Sequence, residues 1–296
     1  MKDKRRYIYF IAVIIILVFQ LLSSDTDQSK DLNAVIDGSL TVDFIDIGQG
    51  DAILITAPEG TTMLIDAGDN SEEDRMVKYL QDRGIKRLDY VVGTHPHADH
   101  IGGLDAVILN FDIGEIYMPK KVHNTKTFED VLLAVKEKGY KINTAKAGVT
   151  FDLGEGVVAQ MVAPVSDSYS NMNDYSAVIR VSYGDTSFLF TGDAEKAAEY
   201  EMIDGKYPID ATVLKVGHHG STSSTTKAFL EAVNPDFGVI SSKKGNSYGH
   251  PHEEIIERLE EANVTYYSTQ DVGTIIAVTD GQTINWTTEG SSRYSK

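Results

Sequence analysis

The stretch Thr94-His95-Pro96-His97-Ala98-Asp99-His100-Ile101-Gly102-Gly103 decides the fold. It follows an apolar run, Tyr90-Val91-Val92-Gly93, that predicts a strand, and precedes a predicted helix beginning near Gly102. Three histidines and one aspartate between His95 and His100, at the carboxyl end of a strand, direct several ligand atoms into one cavity. Imidazole nitrogens and carboxylate oxygens suit Zn²⁺ and similar divalent ions. Pro96 and the two glycines favour a tight loop over a regular helix. A chance cluster of surface histidines does not account for the spacing His-x-His-x-Asp-His.

Working outward, short β-branched runs at Leu40–Ile47, Ala52–Thr56 and Met63–Asp66 end in Gly- or Pro-containing turns and predict strands. A helix over about Glu72–Asp82 and a strand at Leu88–Thr94 follow. Downstream the pattern predicts a helix near Thr127–Lys138, strands at Ala177–Tyr183 and Ser187–Thr191, a helix at Glu195–Ile203 and a strand at Ala211–Val216. The end repeats the theme: helix Thr225–Val233, strand Phe237–Ser241, helix His252–Ala262, then strands Thr265–Ser268, Thr274–Val278 and Thr283–Trp286. Two strand-rich halves, each with helices, predict a β-sandwich covered by helices on its outer faces. No linker interrupts the chain, so residues 38–287 are expected to form one domain, with a short tail at 288–296.

The central string resembles the signature of the metallo-β-lactamase superfamily, and further strings match in that family's order. Met63-Leu64-Ile65-Asp66-Ala67-Gly68 resembles its first motif, Phe190-Thr191-Gly192-Asp193 its bridging-aspartate motif, and Val216-Gly217-His218-His219-Gly220-Ser221 the element supplying the last histidine. Asp46-Ile47-Gly48-Gln49-Gly50-Asp51-Ala52 and Tyr248-Gly249-His250-Pro251-His252 add a likeness to the hydrolase domain of ComEC-like competence proteins. The resemblance implies a four-layer αββα sandwich and two divalent ions, Zn²⁺ first and Mn²⁺ second. It implies His95 and His97 on one ion, Asp99, His100 and His218 on the other, and Asp193 between them. His219 is the alternative to His218, and Asp66 supports the loop. One departure stands out. Many members carry a further histidine ahead of the bridging aspartate, where this chain has Ser170-Asn171-Met172-Asn173-Asp174-Tyr175-Ser176. Asn173 or Asp174 then becomes a candidate ligand, and an oxygen-richer site accepts Mn²⁺ more readily.

Two metal ions ~3.5–4 Å apart share a nucleophile and neutralise charge on a phosphorus or carbonyl centre. Asp99 is expected to orient that nucleophile as well as bind metal. His250, in a Gly/Pro-bracketed turn, is the candidate proton donor to the leaving group. The resemblance points to a phosphoester substrate, with DNA or RNA first. A cell-wall phosphoester hydrolase similar to phosphorylcholine esterases and a non-catalytic metal-binding domain are the rival readings.

The amino terminus stands apart. Lys2, Lys4, Arg5 and Arg6 precede an apolar run from Tyr7 to Leu22, which predicts a signal or a single-pass membrane anchor over residues 1–22 and an extracellular catalytic domain. Residues 23–37 form a polar tether. The chain has no cysteine, which removes thiolate ligands and disulfides. Its formal charge of −17 argues against generic polyanion affinity. Lys120 with Lys121 and Lys243 with Lys244 are the local exceptions. No protein partner is predicted.

Overall fold

A computed structural model describes residues 38–290. The predicted anchor (1–22) and tether (23–37), and the end of the predicted tail, lie outside the described residues. Among the described residues, no helix is long and apolar enough to cross a membrane.

Strands β1 (Leu40–Phe44), β2 (Ile53–Thr56) and β3 (Thr62–Ile65) pair in antiparallel succession. Helix α1 (Glu73–Asp82) crosses to β4 (Arg87–Val92), parallel to β3. The histidine-rich string forms a loop and the one-turn helix α2 (Ala98–Ile101), followed by α3 (Leu104–Asn110), β5 (Asp112–Met118), α4 (Lys126–Lys138) and β6 (Ile142–Thr144). Strands β7 (Thr150–Phe151), β8 (Val157–Ala163), β9 (Val178–Tyr183) and β10 (Thr186–Phe190) are antiparallel. Three parallel crossovers then run through α5 (Lys196–Asp204), β11 (Val213–Lys215), α6 (Lys227–Val233), β12 (Phe237–Ile240), α7 (Glu253–Glu261) and β13 (Thr265–Ser268). After the short α8 (Thr269–Val272), β14 (Ile275–Thr279) and β15 (Ile284–Thr288) return to pair beside β1.

The result is an eight-stranded sheet in the order β15-β14-β1-β2-β3-β4-β5-β6 and a seven-stranded sheet in the order β13-β12-β11-β10-β9-β8-β7. Side chains of a strand alternate between faces, and the burial follows. Leu40, Val42, Phe44, Ile53, Ile55, Met63 and Ile65 meet Ile179, Val181, Phe188 and Phe190 of the other sheet in an all-apolar middle layer. The alternate residues Leu54, Leu64 and Val91 face outward against Met76, Tyr79 and Leu80 of α1 and Leu104, Val107 and Ile108 of α3. Met76, Tyr79 and Leu80 stand at i, i+3 and i+4, the spacing that gives a helix one apolar stripe. Leu189, Leu214 and Val216 pack likewise against Ala198, Met202, Phe229, Leu230 and Leu259 from α5, α6 and α7. Three apolar layers between two sheets and two helical covers make the αββα sandwich.

Two expectations need correction. The strands β5 to β8, between Asp112 and Ala163, are absent from the sequence reading. In β5 the exposed Asp112, Gly114 and Glu115 break the apolar alternation. Gly114 is needed there because a Cβ would lie 2.4 Å from the Asp89 carbonyl oxygen on β4. The first strand, expected to reach Ile47, ends at Phe44. The chain beyond it turns back, and Asp51 N–H donates to the Asp99 carbonyl at 3.2 Å.

Candidate metal centre

Residues just beyond the carboxyl ends of β3, β4, β10 and β11 meet at one end of the sandwich. Asp66 follows β3 and is fully buried. Its Oδ1 accepts the Thr94 N–H at 2.7 Å, and its Oδ2 accepts the Thr94 hydroxyl at 2.7 Å and lies 2.7 Å from His100 Nδ1. Both oxygens are engaged, so Asp66 orients the loop and His100. Gly50 presses on the same loop: its φ is +135°, and a Cβ there would sit 2.1 Å from the Asp99 carbonyl oxygen. Gly50→Ala is therefore expected to displace Asp99, cost about 1–3 kcal/mol in urea unfolding, and weaken metal uptake measured by titration.

The imidazoles of His95, His100 and His219 share one arrangement, in which Nδ1 meets an outer partner and Nε2 points inward. His95 Nδ1 lies 3.2 Å from Thr94 Oγ1 and 3.3 Å from Ser176 Oγ. His100 Nδ1 meets Asp66. His219 Nδ1 lies 3.0 Å from the Ser241 carbonyl and 3.4 Å from Asp51 Oδ1. Such outer contacts fix the tautomer and leave the other nitrogen free to ligate.

The inward atoms fall into two groups whose members lie within 4.8 Å of one another: His95, His97 and Asp193; and Asp99, His100, Asp193 and His219. Asp193, 1% exposed, belongs to both. Its Oδ1 lies 3.1 Å from His100 Nε2 and 3.5 Å from His219 Nε2, and its Oδ2 lies 3.7 Å from His95 Nε2. His95 Nε2 and His97 Nδ1 are 3.0 Å apart, and His219 Nε2 is 3.4 Å from Asp99 Oδ2. Tetrahedral bonds of ~2.0–2.2 Å separate neighbouring ligand atoms by about 3.4 Å. His100 Nε2, His219 Nε2 and Asp193 Oδ1 are buried with no hydrogen-bond partner. Buried polar atoms are nearly always paired, and three orphans facing one point fit a cation. A third cluster, Asp51, Asp66 and His100, already holds a cation of the chain's own: Lys215 Nζ lies 2.9 Å from Asp51 Oδ1.

Charge follows the same logic. Burial lowers the proton affinity of His100, but Asp193 and Asp66 outweigh it and raise the group well above the ordinary histidine value. Burial opposes protonation of His219 too, and Asp193 and Asp51 lift it to about 9. Burial, joined by the charge of His100, instead pushes His95 well below the usual range. Burial works against ionisation of Asp99, yet His219 and His100 hold its carboxyl below the ordinary value. Without a metal, the carboxylates draw protons onto two of the imidazoles; a divalent cation supplies the same positive charge.

The structure brings His95, His97, Asp99, His100 and Asp193 together with His219. His218 stands on the other side of Asp193, its Nε2 3.5 Å from Oδ2. Asn173 lies beside Glu195. Its Nδ2 donates to Glu195 Oε1 at 2.9 Å, while its Oδ1 is buried without a partner. Asp174 caps α5, accepting the Glu195 and Ala198 N–H groups at 3.1 Å each. His250 lies at the mouth, its ring 5.5 Å from His218 and 6.3 Å from His219. Burial first, then the His218 and His219 rings, push it down to about 4. His252 Nδ1 accepts the Thr222 N–H at 3.1 Å and clamps two loops. Beside Asp99 opens a cavity of about 270 Å³ lined by Gln49, Asp69, Glu72, Lys243 and Tyr248 among others. Sequence reasoning missed Lys215 and Glu195. Lys215 is a lone charge at the end of the apolar run Val213-Leu214, and that is a readable signal.

The metallo-β-lactamase superfamily model matches residues 45–242. ComE operon protein 3 of Bacillus subtilis is 33% identical over 251 residues, covering 79% of this chain and 32% of that protein. Recombination protein 2 of Haemophilus influenzae is 31% identical over 249 residues, covering 82% of this chain and 28% of its own. The chain thus spans about a third of the length of these relatives. Among solved structures, Igni18, a metallo hydrolase from Ignicoccus hospitalis, superposes with a TM-score of 0.54 at 17% identity, covering 80% of this chain and 98% of that one. YhfI of Bacillus subtilis, a metallo-β-lactamase fold protein, gives 0.51 at 12% identity, covering 82% and 100%. The paired sheets, the His/Asp cluster built for divalent ions and the family match agree: the chain belongs to the metallo-β-lactamase superfamily, as a metal-dependent hydrolase.

Proposed function

We propose that the chain is a phosphodiesterase acting on nucleic acid outside the cytoplasm. The observation that carries the reaction class is the shared carboxylate Asp193, with a histidine group on each of its oxygens. His95, His97 and Asp193 would hold one cation, and Asp99, His100, Asp193 and His219 the other. Two divalent ions, when bound, generate a nucleophile from water near pH ~7 and neutralise charge developing on phosphorus. Asp99, its side chain 30% exposed, is the ligand placed to accept a hydrogen bond from the attacking water. Lys243 and Gln49 line the cavity beside it. They offer an ammonium and an amide to a phosphate oxygen, and Gln49 Nε2 is buried without a partner. His250 is neutral at pH 7. A phosphoester's negative charge beside it raises its proton affinity, as a leaving-group acid requires.

Nucleic acid as substrate is supported by relatives named for competence and recombination. The formal charge of −17 predicts weak, strongly salt-dependent binding confined to the cleft. The outward location and the anchor rest on the basic flank and apolar run of residues 1–22.

The test is the full-length chain in mild detergent, loaded with Zn²⁺ or Mn²⁺, against single-stranded DNA, duplex DNA and bis-p-nitrophenyl phosphate. Metal-dependent cleavage of DNA is expected, with His97→Ala lowering it about 100-fold or more. Turnover of the small diester with DNA left intact would instead select a small phosphoester, and inactivity on all three with metal bound would overturn the reading.

A further inference from the structure

The cavity beside Asp99 offers more than a phosphate oxygen uses. Its lining joins the ammonium of Lys243, the carboxylates of Asp69 and Glu72, the apolar Ile47 and Ala98, and the ring of Tyr248. Gly48 adjoins two of these: a Cβ there would lie 3.9 Å from both Glu72 Oε1 and the Lys243 stem. We propose that the cavity takes a nucleobase, so that one unpaired base of the substrate strand stacks on Tyr248 and turns its hydrogen-bonding edge to Asp69 and Glu72. This site rests on the nucleic-acid reading above and adds to it a preference for single strands.

Charge divides the cavity between the two ends of a nucleotide. Asp69, Glu72 and Asp99 bring three carboxylates to a space that holds one ammonium, Lys243. The wall of Asp69 and Glu72 therefore repels a second phosphate. The amino and imino groups of a base are neutral N–H donors, which a carboxylate accepts. Both carboxylates are held before a ligand arrives. Asp69 Oδ1 accepts the Ser71 N–H at 3.0 Å, and Glu72 Oε2 lies 3.5 Å from Arg75 Nη1. At about 270 Å³ the cavity falls just below the ~300–1,000 Å³ usual for drug-sized ligands, the scale of one base and not of a base pair.

Tyr248 supplies the stacking platform. Among the described residues it is the most exposed tyrosine, at 65% against 40% for Tyr200. It is fixed nonetheless. Its ring lies against His250, with centroids 5.6 Å and planes 23° apart. Its N–H donates to Asn246 Oδ1 at 3.1 Å, and the same oxygen accepts the His250 N–H at 3.0 Å. The ring thus meets the candidate leaving-group acid on one side and solvent on the rest. A preset aromatic face stacks any base, since every base has a π-face. In a duplex the face and the edge of a base are both occupied, and extruding it is costly.

The test uses the full-length chain loaded with Mn²⁺. Its substrates are a single-stranded oligodeoxynucleotide, the matching duplex, and a strand of equal length in which every nucleotide is abasic. Wild type is expected to cleave the single strand with a kcat/KM about 10-fold or more above that for the other two. Tyr248→Ala is expected to raise KM about 10-fold more for the base-bearing strand than for the abasic one, and Tyr248→Phe, which keeps the ring, to restore the wild-type ratio. Glu72→Gln keeps the volume and weakens the acceptor, and should raise KM about 5-fold more on the base-bearing strand. A lowered KM on both strands would mean that this wall faces a phosphate, and would overturn the assignment. Wild-type KM in Tyr248→Ala, equal effects on the two strands, or equal cleavage of single strand and duplex would overturn the base site and leave the nuclease reading standing. No cleavage of any DNA by wild type would overturn both.

Discussion

Asp193→Asn is expected to lose both cations and to lower hydrolysis on the order of 10³-fold or more, since each tenfold is about 1.4 kcal/mol and metal charge stabilisation is worth several. Both carboxylate oxygens are committed, Oδ1 toward His100 and His219 and Oδ2 toward His95 and His218. An asparagine keeps the volume but turns an N–H toward one pair of imidazoles and removes the charge shared by the two groups. Burial would make Asp193 hard to ionise, yet His100 and His219 hold it well below the ordinary carboxylate value. The neighbouring imidazoles therefore favour its ionised form. Elemental analysis and the diester assay measure the two losses together. Retention of two ions in the variant would sink the bridging role, whatever the activity.

Lys215→Met is expected to give the largest loss of stability, about 3–5 kcal/mol in urea unfolding at pH 7.5. Lys215 is fully buried. Its Nζ sits 2.9 Å from Asp51 Oδ1 and donates to the Val216 carbonyl at 2.9 Å. Burial alone would raise the Asp51 carboxyl; Lys215 overcomes this and holds it at about 2. Removing the lysine leaves a buried carboxylate without its cation, beside the His219 ring that it orients. The sign with pH follows. In wild type, Asp51 contributes stability above the ordinary carboxylate value of 3.8, and that contribution is lost as pH falls through about 2. In the variant burial dominates, the folded value rises, and stability is lost as pH rises past the ordinary carboxylate range. The gap between variant and wild type should therefore narrow toward pH 4. Adding Asp51→Asn to Lys215→Met should recover part of the loss, because the uncompensated charge goes with it. A gap independent of pH would show that lost packing, not stranded charge, is the cause.

The metal loop was legible because its chemistry is local: His95, His97, Asp99 and His100 come from one strand end, and spacing alone aims them. Asp66 and Asp193 were legible through their strand-ending strings. The choice between His218 and His219 was not, because it depends on a left-handed backbone that two histidines do not advertise. The pairing of Lys215 with Asp51 was not legible either, because the two are far apart in sequence and the lone charge after Val213-Leu214 does not name its partner. The strands β5 to β8 escaped for a similar reason. Their short or interrupted apolar patterns gain definition from neighbours, as Gly114 shows against β4. The strands of the first and last segments of the domain, carried by short β-branched and aromatic runs, were read to within a few residues.

The cluster draws His95, His97, Asp99 and His100 from the eight-stranded sheet and Asp193, His218 and His219 from the seven-stranded one. The chain has no cysteine to staple its halves. Any cation held there acts as a reversible rivet across the sandwich, with the mechanical office that a disulfide has in other proteins. Metal supply then governs durability as well as turnover. In a starved environment the idle enzyme would also be the one whose sheets part most readily for a protease.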